Sequence, residues 1–187
     1  AAGEPLTLKQ EELKRDGWAM ECRINAEDPF RNFLPSTGRL VRYQPPATDL
    51  TQGEPTLDFG VRVDTGVFEG GEIPMHYDSM IAKLITHGPT RGDAIERMRD
   101  ALNAFVIRGV STNIPFQAAL MQHPRFVSGK FHTGLIAEEY PKGFTAASVT
   151  HDDPSFLLAL AVATNRRVLA RSAGISGQLP GHELQLG

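Results

Sequence analysis

The spacing of apolar residues changes along this chain of 187 residues, and that change limits the folds open to it. Up to about residue 88, apolar and polar residues alternate, as they do on strands with one buried face. Between residues 92 and 140 they recur every three or four positions, as on helices that bury one face. Strands first and helices afterwards predict an α+β fold, with a mostly antiparallel sheet covered by helices on one side.

The clearest predicted strand is WAMECRIN, residues 18–25, in which two kinds of side chain alternate. Its apolar positions point to one side: Trp18, Met20, Cys22 and Ile24. Its other side carries an acid, a guanidinium and an amide: Glu21, Arg23 and Asn25. Such a strand buries one face in the core and presents the other to solvent or to a ligand.

Three more strands and four helices are predicted from spacing and turn residues. The strands are expected within RLVRYQPP (39–46), FGVRVDTGV (59–67) and YDSMIAKLITHG (77–88). The helices are expected over residues 92–107, with Thr90 or Asp93 as cap, and over 113–122, 133–140 and 153–173. Lys83 lies on the same side of its strand as Ile81 and Ile85, so its amine either reaches solvent or is paired.

Charge and composition exclude several classes of function. With a formal net charge of -3, the chain has no broad positive field to attract nucleic acid. Its single cysteine cannot form an internal disulfide, which fits a reducing compartment. No apolar run approaches the roughly 20 residues that a membrane-spanning helix needs. We therefore expect a soluble protein of the cytoplasm, or of the mitochondrial matrix if the source is eukaryotic.

Common motifs for metal and phosphate binding are missing from the sequence. The six histidines show no metal-ligand spacing, and Cys22 has no second thiol. Neither GxGxxG nor GxxxxGK[ST] occurs, and there is no GxSxG. We expect no metal site formed by this chain alone.

The polar side of the predicted strands has two interpretations. Its charges are either the solvated, ion-paired face of a half-exposed sheet, or the support of an anion site centred on Arg23. An arginine fixed on a rigid strand suits a carboxylate or bicarbonate because its planar fork donates two parallel hydrogen bonds. The pattern of residues leaves both interpretations open.

Four separate motifs add a resemblance to a known family. ECRINAEDPFRNFLPSTGRL, FGVRVDTGV, HYDSMIAKLI and VIRGVSTN, in this order, resemble the C-terminal domain of biotin carboxylase. The resemblance extends from residue 1 to about residue 144. EEYPKGF and the helix after it look like the junction in alpha subunits of propionyl-CoA carboxylase, where the chain continues into a domain that docks the beta subunit.

The resemblance implies three segments. Residues 1–17 would be a connector from an ATP-grasp core, and residues 18–144 the biotin carboxylase C-terminal domain. Residues 145–187 would be a linker and the first helix of the beta-subunit-docking domain, truncated after that helix. Because the apolar positions of this long helix wrap most of the way round, we expect it to need partners on several sides.

The resemblance also implies roles for single residues. Arg23 matches the family's catalytic arginine, which reaches the biotin ureido group and bicarbonate and stabilises the negative charge that develops there. Asp78 matches an aspartate at the edge of the same pocket, where it would hold the arginine in place. Glu21 and Asn25, on either side of Arg23, are candidates for the same supporting role.

Two further assignments concern the borders of the domain. Thr133 matches a position that lies next to the adenine pocket in the family, although a lone threonine also serves as a helix cap. Phe59 and Arg62 match a surface on which two biotin carboxylase domains pair in the stand-alone bacterial subunit.

The function implied is one wall of the site where biotin is carboxylated by ATP and bicarbonate, with magnesium bound mostly by residues outside this chain. The chain alone would then be an inactive part of a ligase. The implied partners are its own ATP-grasp core, the biotin carboxyl carrier domain and the carboxyltransferase beta subunit. The alternative is a structural or assembly module of a different biotin-dependent carboxylase, acting on acetyl-, methylcrotonyl- or geranyl-CoA, or on pyruvate.

Overall fold

A computed structural model describes residues 3–5, 7–48, 60–75, 78–149 and 154–174 of the chain. The chain forms two compact units, Ala1–Val149 and Thr150–Gly187. The strands described are β1 Trp18–Asn25, β2 Glu27–Asp28, β3 Leu34–Pro35, β4 Gly38–Arg39, β5 Arg42–Gln44, β6 Val61–Thr65, β7 Glu72–Ile73, β8 Met80–Gly88 and β9 Val106–Arg108. The α-helices described are α1 Arg91–Ala104, α2 Ile114–Gln122, α3 Pro124–Val127, α4 Leu135–Glu139 and α5 Pro154–Ala173.

The predicted α+β fold is confirmed, and its centre is a three-stranded antiparallel sheet in the order β1-β8-β6. The register places Cys22 of β1, Leu84 of β8 and Val63 of β6 in one row across the sheet. The next row consists of Arg23, Lys83 and Asp64. Because successive residues of a strand face opposite ways, the first row lies on one face and the second row on the other.

The apolar face of this sheet packs against helix α1. Ile24, Leu84, Met98 and Leu102 are at most 1% exposed and belong to one hydrophobic cluster. The hydroxyl of Thr86, on the same face, donates a 2.8 Å hydrogen bond to the carbonyl of Ala94 in α1. The sheet and the helix are therefore joined by apolar burial and by a buried polar contact.

Helix α1 begins as predicted and ends earlier. Thr90 and Asp93 form a capping box at its start, but the helix stops at Ala104 instead of residue 107. Residues 106–108 pair as β9 with β5, so Val106, which continued the helical spacing, belongs to a strand. Gly109 then turns at φ +105, where an added Cβ would collide with the carbonyl oxygen of Arg39. Only a glycine permits this close approach of backbones.

Three other predictions are corrected in detail. The strand expected over 39–46 is two short strands, because β4 pairs with β7 whereas β5 pairs with β9. Trp18 does not join the core and is 53% exposed at the start of β1. The expected helix over 133–140 is the shorter α4, and α3 was not predicted because its four residues are too few to show a period.

The second compact unit contains α5, a helix of 20 residues in which none is buried. Its large apolar side chains are 40–69% exposed: Phe156, Leu157, Leu158, Leu160, Val162, Val168 and Leu169. Burial of these side chains would require partner surfaces on more than one side. Within the described part of the chain, no helix combines the length and the apolar character needed to cross a membrane.

Candidate anion-binding site on the polar face of the sheet

The face of the sheet opposite helix α1, here called the polar face, carries five charged side chains. They come from all three strands: Glu21, Arg23, Arg62, Asp64 and Lys83. The alternation of residues in each strand and the antiparallel register together bring these charges onto one surface. The register joins the charges of β1 to those of β6 through the central strand β8.

One end of the polar face is neutralised by a tight ion pair. Arg62 donates from Nε and Nη2 to the two carboxylate oxygens of Asp64, at 2.8 and 2.6 Å. The hydrogen bonds from Arg62 lower the pKa of the Asp64 carboxyl, and the charge of Lys83 contributes to the same direction. The same pairing raises the pKa of Arg62. Each charge of this pair already has its partner.

Arg23, on β1, has a different environment. Its side chain is 67% exposed, and its Nε lies 3.6 Å from the nearer carboxylate oxygen of Glu21, which is beyond a normal hydrogen bond. Among the described residues this is the one ion pair recorded for the Arg23 guanidinium. The fork of Arg23 is thus oriented by a nearby acid and remains accessible to an anion.

The backbone of Arg23 and Asn25 is hydrogen-bonded to Asn113, immediately before helix α2, and to Gln117 within this helix. The pairing of β1 with β8 shifts register between Ile24 and Asn25. The side chain of Asn113 bridges the residues on either side of Ile24. Its Oδ1 accepts from the Asn25 amide at 2.9 Å, and its Nδ2 donates to the Arg23 carbonyl at 3.0 Å. Gln117 donates to the same Arg23 carbonyl at 3.4 Å.

Asn25 contacts a different acid from the one beside Arg23. Its Nδ2 donates to Glu27 at 3.2 Å, and the hydroxyl of Ser79 donates to the same Glu27 oxygen at 2.7 Å. The Oδ1 atom of Asn25 is buried and has no hydrogen-bond partner among the described residues. Of the two β1 residues predicted to support Arg23, Glu21 lies beside its guanidinium, whereas Asn25 supports the turn that follows the strand.

The remaining predicted residues lie at different places. Asp78 is exposed just before β8, and its Oδ1 accepts from the Met80 amide at 3.1 Å. It lies near the same end of the sheet, because Met80 pairs with Asn25 in the register. Thr133 is in an exposed turn before α4. Phe59 lies outside the described residues.

Comparison with known proteins connects this geometry to a family. Residues 21–138, more than half of the chain, match the biotin carboxylase C-terminal domain. The chain belongs to the biotin carboxylase C-terminal domain family. The resemblance inferred from the four sequence motifs is thereby confirmed.

Individual relatives of this biotin carboxylase C-terminal domain agree. The propionyl-CoA carboxylase alpha chain of Ruegeria pomeroyi is 48% identical over 197 aligned residues, covering 100% of this chain and 29% of that protein. Biotin carboxylase 1 of Bacillus subtilis is 51% identical over 136 residues, covering 73% of this chain and 28% of that protein. The chain therefore spans less than a third of the length of these relatives.

A solved structure gives the same fold. The biotin carboxylase domain of a thermophilic 2-oxoglutarate carboxylase bound to bicarbonate is 43% identical, with a TM-score of 0.66. The match covers 75% of this chain and 29% of that one.

Two residues of this biotin carboxylase C-terminal domain were missed by sequence reasoning or had no assigned place. Lys83 was identified as unusual, but only the register shows that it lies between Arg23 and Asp64. Asn113 was predicted as the residue that begins α2, and its contacts with β1 depend on residues about 90 positions away. An asparagine at the start of a predicted helix is the one signal in the sequence, and it does not identify its partner.

The described residues of the domain bring together no group of three or more His, Cys, Asp or Glu side chains that could hold a metal ion. Cys22 is buried on the apolar face, and burial raises the pKa of its thiol to about 12.

Proposed function

We propose that this chain is part of the biotin carboxylase component of an acyl-CoA carboxylase, with propionyl-CoA as the acyl substrate. Its polar face forms one wall of the site where biotin is carboxylated with ATP and bicarbonate. In this proposal Arg23 is the catalytic residue that binds the anion. Residues 18–144 are the C-terminal domain, residues 1–17 connect it to an ATP-grasp core, and residues 145–187 begin the domain that docks a carboxyltransferase beta subunit.

The observation that carries the proposal is the contrast between the two arginines of the polar face. Arg62 is bound at hydrogen-bond distance to both oxygens of Asp64, so its charge is used within the fold. The Arg23 fork is 67% exposed and meets Glu21 only at 3.6 Å. An exposed arginine that is oriented but not saturated is suited to bind a small planar anion such as bicarbonate.

The chemistry that this chain contributes is electrostatic. Arg23 orients bicarbonate and stabilises the negative charge that develops near biotin, and Glu21 limits the directions that the guanidinium takes. Bound biotin supplies the ureido nitrogen that accepts the carboxyl group. We place Asp78 at the edge of this site, and we assign no ATP or magnesium ligand to the described residues. The isolated chain is then expected to cleave no ATP.

The alignment with relatives supports propionyl-CoA over the alternatives. The propionyl-CoA carboxylase alpha chain aligns with the whole chain, whereas biotin carboxylase 1 aligns with 73% of it. The segment after the C-terminal domain therefore favours the propionyl-CoA enzyme. Turnover of propionyl-, acetyl-, methylcrotonyl- and geranyl-CoA by the assembled complex tests this, and a clear preference for another acyl group would overturn it.

Replacing Arg23 by alanine in the full-length subunit tests the catalytic proposal. We expect bicarbonate- and biotin-dependent ATP cleavage to fall by about a hundredfold to a thousandfold, as for other donors that stabilise a developing anion. Arg42→Ala is a matched control, since Arg42 is 56% exposed and its Nε lies 3.7 Å from Glu69, away from the polar face. Full turnover by Arg23→Ala would contradict the proposal.

A second function, assembly, is favoured by helix α5. Its large apolar side chains are exposed although the helix has 20 residues, which is costly unless a partner covers them. We propose that α5 contributes to docking of the carboxyltransferase beta subunit.

Substitution on α5 tests the assembly proposal. We expect Leu158→Glu together with Val168→Glu to abolish co-purification of the beta subunit while biotin-dependent ATP cleavage remains. Thr164→Glu together with Asn165→Glu, which introduces the same two charges at polar positions of the helix, is the control. Retention of the beta subunit by the double variant would argue against docking through α5.

A further inference from the structure

We infer that Asn113 is a positioning residue for Arg23: its side-chain amide fixes the backbone that aims the guanidinium into the site. The inference rests on the proposed function of Arg23 and adds a residue to it. Asn113 lies immediately before α2 and is 6% exposed. Thr86 is the other buried polar residue in the described part of the chain. The burial of Asn113 has to be balanced by hydrogen bonds, which the contacts with β1 provide.

Asn113 makes the hydrogen bonds to β1 that a neighbouring strand would otherwise make. Among the described strands, β8 is the one that pairs with β1, so β1 lies at the edge of the sheet. At its open edge the Asn113 carboxamide accepts from the Asn25 amide and donates to the Arg23 carbonyl, as a peptide group of an adjacent strand would. The backbone amide of Asn113 also donates to the Asn25 carbonyl, at 3.1 Å. Three hydrogen bonds from one residue thus fix a segment of three residues.

This edge contact matters because Arg23 lies near the end of the regular pairing with β8 and its side chain has few restraints. Regular pairing with β8 shifts directly after Ile24. The Arg23 side chain is mostly exposed and has one long ion pair, so surrounding packing does little to orient it. The direction of its Cα–Cβ bond is then set by the backbone, and the Asn113 amide fixes this backbone from the edge. A displacement of about 1 Å in a catalytic group costs up to about a hundredfold in rate.

The experiment uses the full-length subunit with free biotin, bicarbonate and MgATP as substrates. Asn113→Asp keeps an acceptor for the Asn25 amide but replaces the donor to the Arg23 carbonyl with a repelling oxygen. Thr86→Val is the matched control, because it removes an equally buried side-chain hydrogen bond to a backbone carbonyl on the opposite face. Thermal unfolding of both variants reports any loss of stability.

We expect Asn113→Asp to raise the KM for biotin and bicarbonate and to lower kcat/KM by about tenfold to a hundredfold, with the KM for ATP unchanged. Thr86→Val is expected to lose stability while keeping its KM values. A purely structural role of Asn113 would lower the active fraction and so reduce kcat alone, because a smaller amount of intact enzyme has the same KM.

Two outcomes separate this inference from the proposed function. If Arg23→Ala is inactive but Asn113→Asp keeps the KM of the wild type for biotin and bicarbonate, the positioning role is wrong and the role of Arg23 stands. If Arg23→Ala is fully active, the proposed function fails, and the positioning role fails with it. Should Asn113→Asp not fold, Asn113→Ala decides, because it removes both side-chain hydrogen bonds without adding a charge. A raised KM for biotin at constant KM for ATP supports the inference, and an unchanged one overturns it.

Discussion

The two faces of the central sheet are made by the same three strands and differ in what they hold together. On the apolar face Cys22, Ile24 and Leu84 are at most 3% exposed and pack under helix α1. On the polar face the ion-paired side chains of Glu21, Arg23, Arg62 and Asp64 are 44–67% exposed. One position along a strand therefore separates a residue of the core from a residue of the candidate site.

Because the two faces differ in this way, substitutions on the apolar face should change stability, and substitutions on the polar face should change binding. Full burial of a large apolar side chain contributes about 1.5–3 kcal/mol, whereas an exposed ion pair contributes about 0–1 kcal/mol. Charges on the polar face thus contribute little to folding. Substitutions on the two faces are expected to affect different measurements.

The largest expected effect on stability is on the apolar face. Leu84→Ala removes a side chain with 0% exposure, and we expect the free energy of unfolding to fall by about 2–5 kcal/mol. Ile85→Ala is the matched comparison, because Ile85 is the next residue on the same strand, faces the other way and is only partly buried. Urea denaturation of both variants measures the difference. Equal losses would show that the two faces are not energetically distinct.

The next effect concerns the thiol of the apolar face. Burial, and secondarily the charge of Glu21, raise the pKa of Cys22 to about 12, so the folded protein keeps the thiol protonated and shielded. A thiol-specific reagent should therefore label Cys22 only after unfolding. Labelling in native buffer at the rate of a free cysteine would contradict this burial.

The same shift gives a dependence on pH with a definite sign. Above about pH 9 the unfolded thiol ionises while the folded one does not, so stability decreases as pH rises until the folded thiol itself ionises. Cys22→Ala lacks this contribution. The stability of the wild type relative to Cys22→Ala should hence fall between about pH 8 and about pH 10, by about 1–2 kcal/mol.

Structure that depends on neighbouring residues could be predicted from the sequence, whereas contacts between residues far apart in the chain could not. The alternation around Arg23 predicted β1 and its polar side, and Thr90 with Asp93 predicted the start of α1, because both signals lie within a few residues. The end of α1 was wrong, because Val106 continues a helical spacing but pairs with a strand over 60 residues earlier. Such pairing overrides a local period, and no spacing in the sequence announces it.

The site shows the same limit. The resemblance to the family predicted Arg23, and its exposure agrees with a role at the surface of a site, although that role stays a prediction. The contact between Asn113 and β1 joins residues about 90 positions apart. It is fixed by the packing of α2 beside the sheet, so a single sequence gives it no local signature.

A smaller effect is expected at Lys83, which has Arg23 and Asp64 as its neighbours in the register. Lys83 is opposed by the like charge of Arg23 on one strand and by the opposite charge of Asp64 on the other. These two effects offset each other, so Lys83→Gln should change stability by at most about 1 kcal/mol. Loss of this positive charge should weaken bicarbonate binding at Arg23, with a KM increase of about threefold to fivefold. Loss of both stability and affinity would show that Lys83 is part of the core.

The smallest effect is expected at the ion pair on β6. Hydrogen bonds from Arg62 lower the pKa of Asp64 below its ordinary value, so the folded state favours the ionised carboxyl. A lowered pKa gives stability that is present above the unfolded pKa of about 3.9 and is lost as pH falls through the folded value. Asp64→Asn should therefore be slightly less stable than the wild type at neutral pH and equal to it in acid, with a gap that added salt reduces. A gap that persists in acid and in salt would mean that Asp64 stabilises the sheet by packing, and the polar face would then share the role of the apolar one.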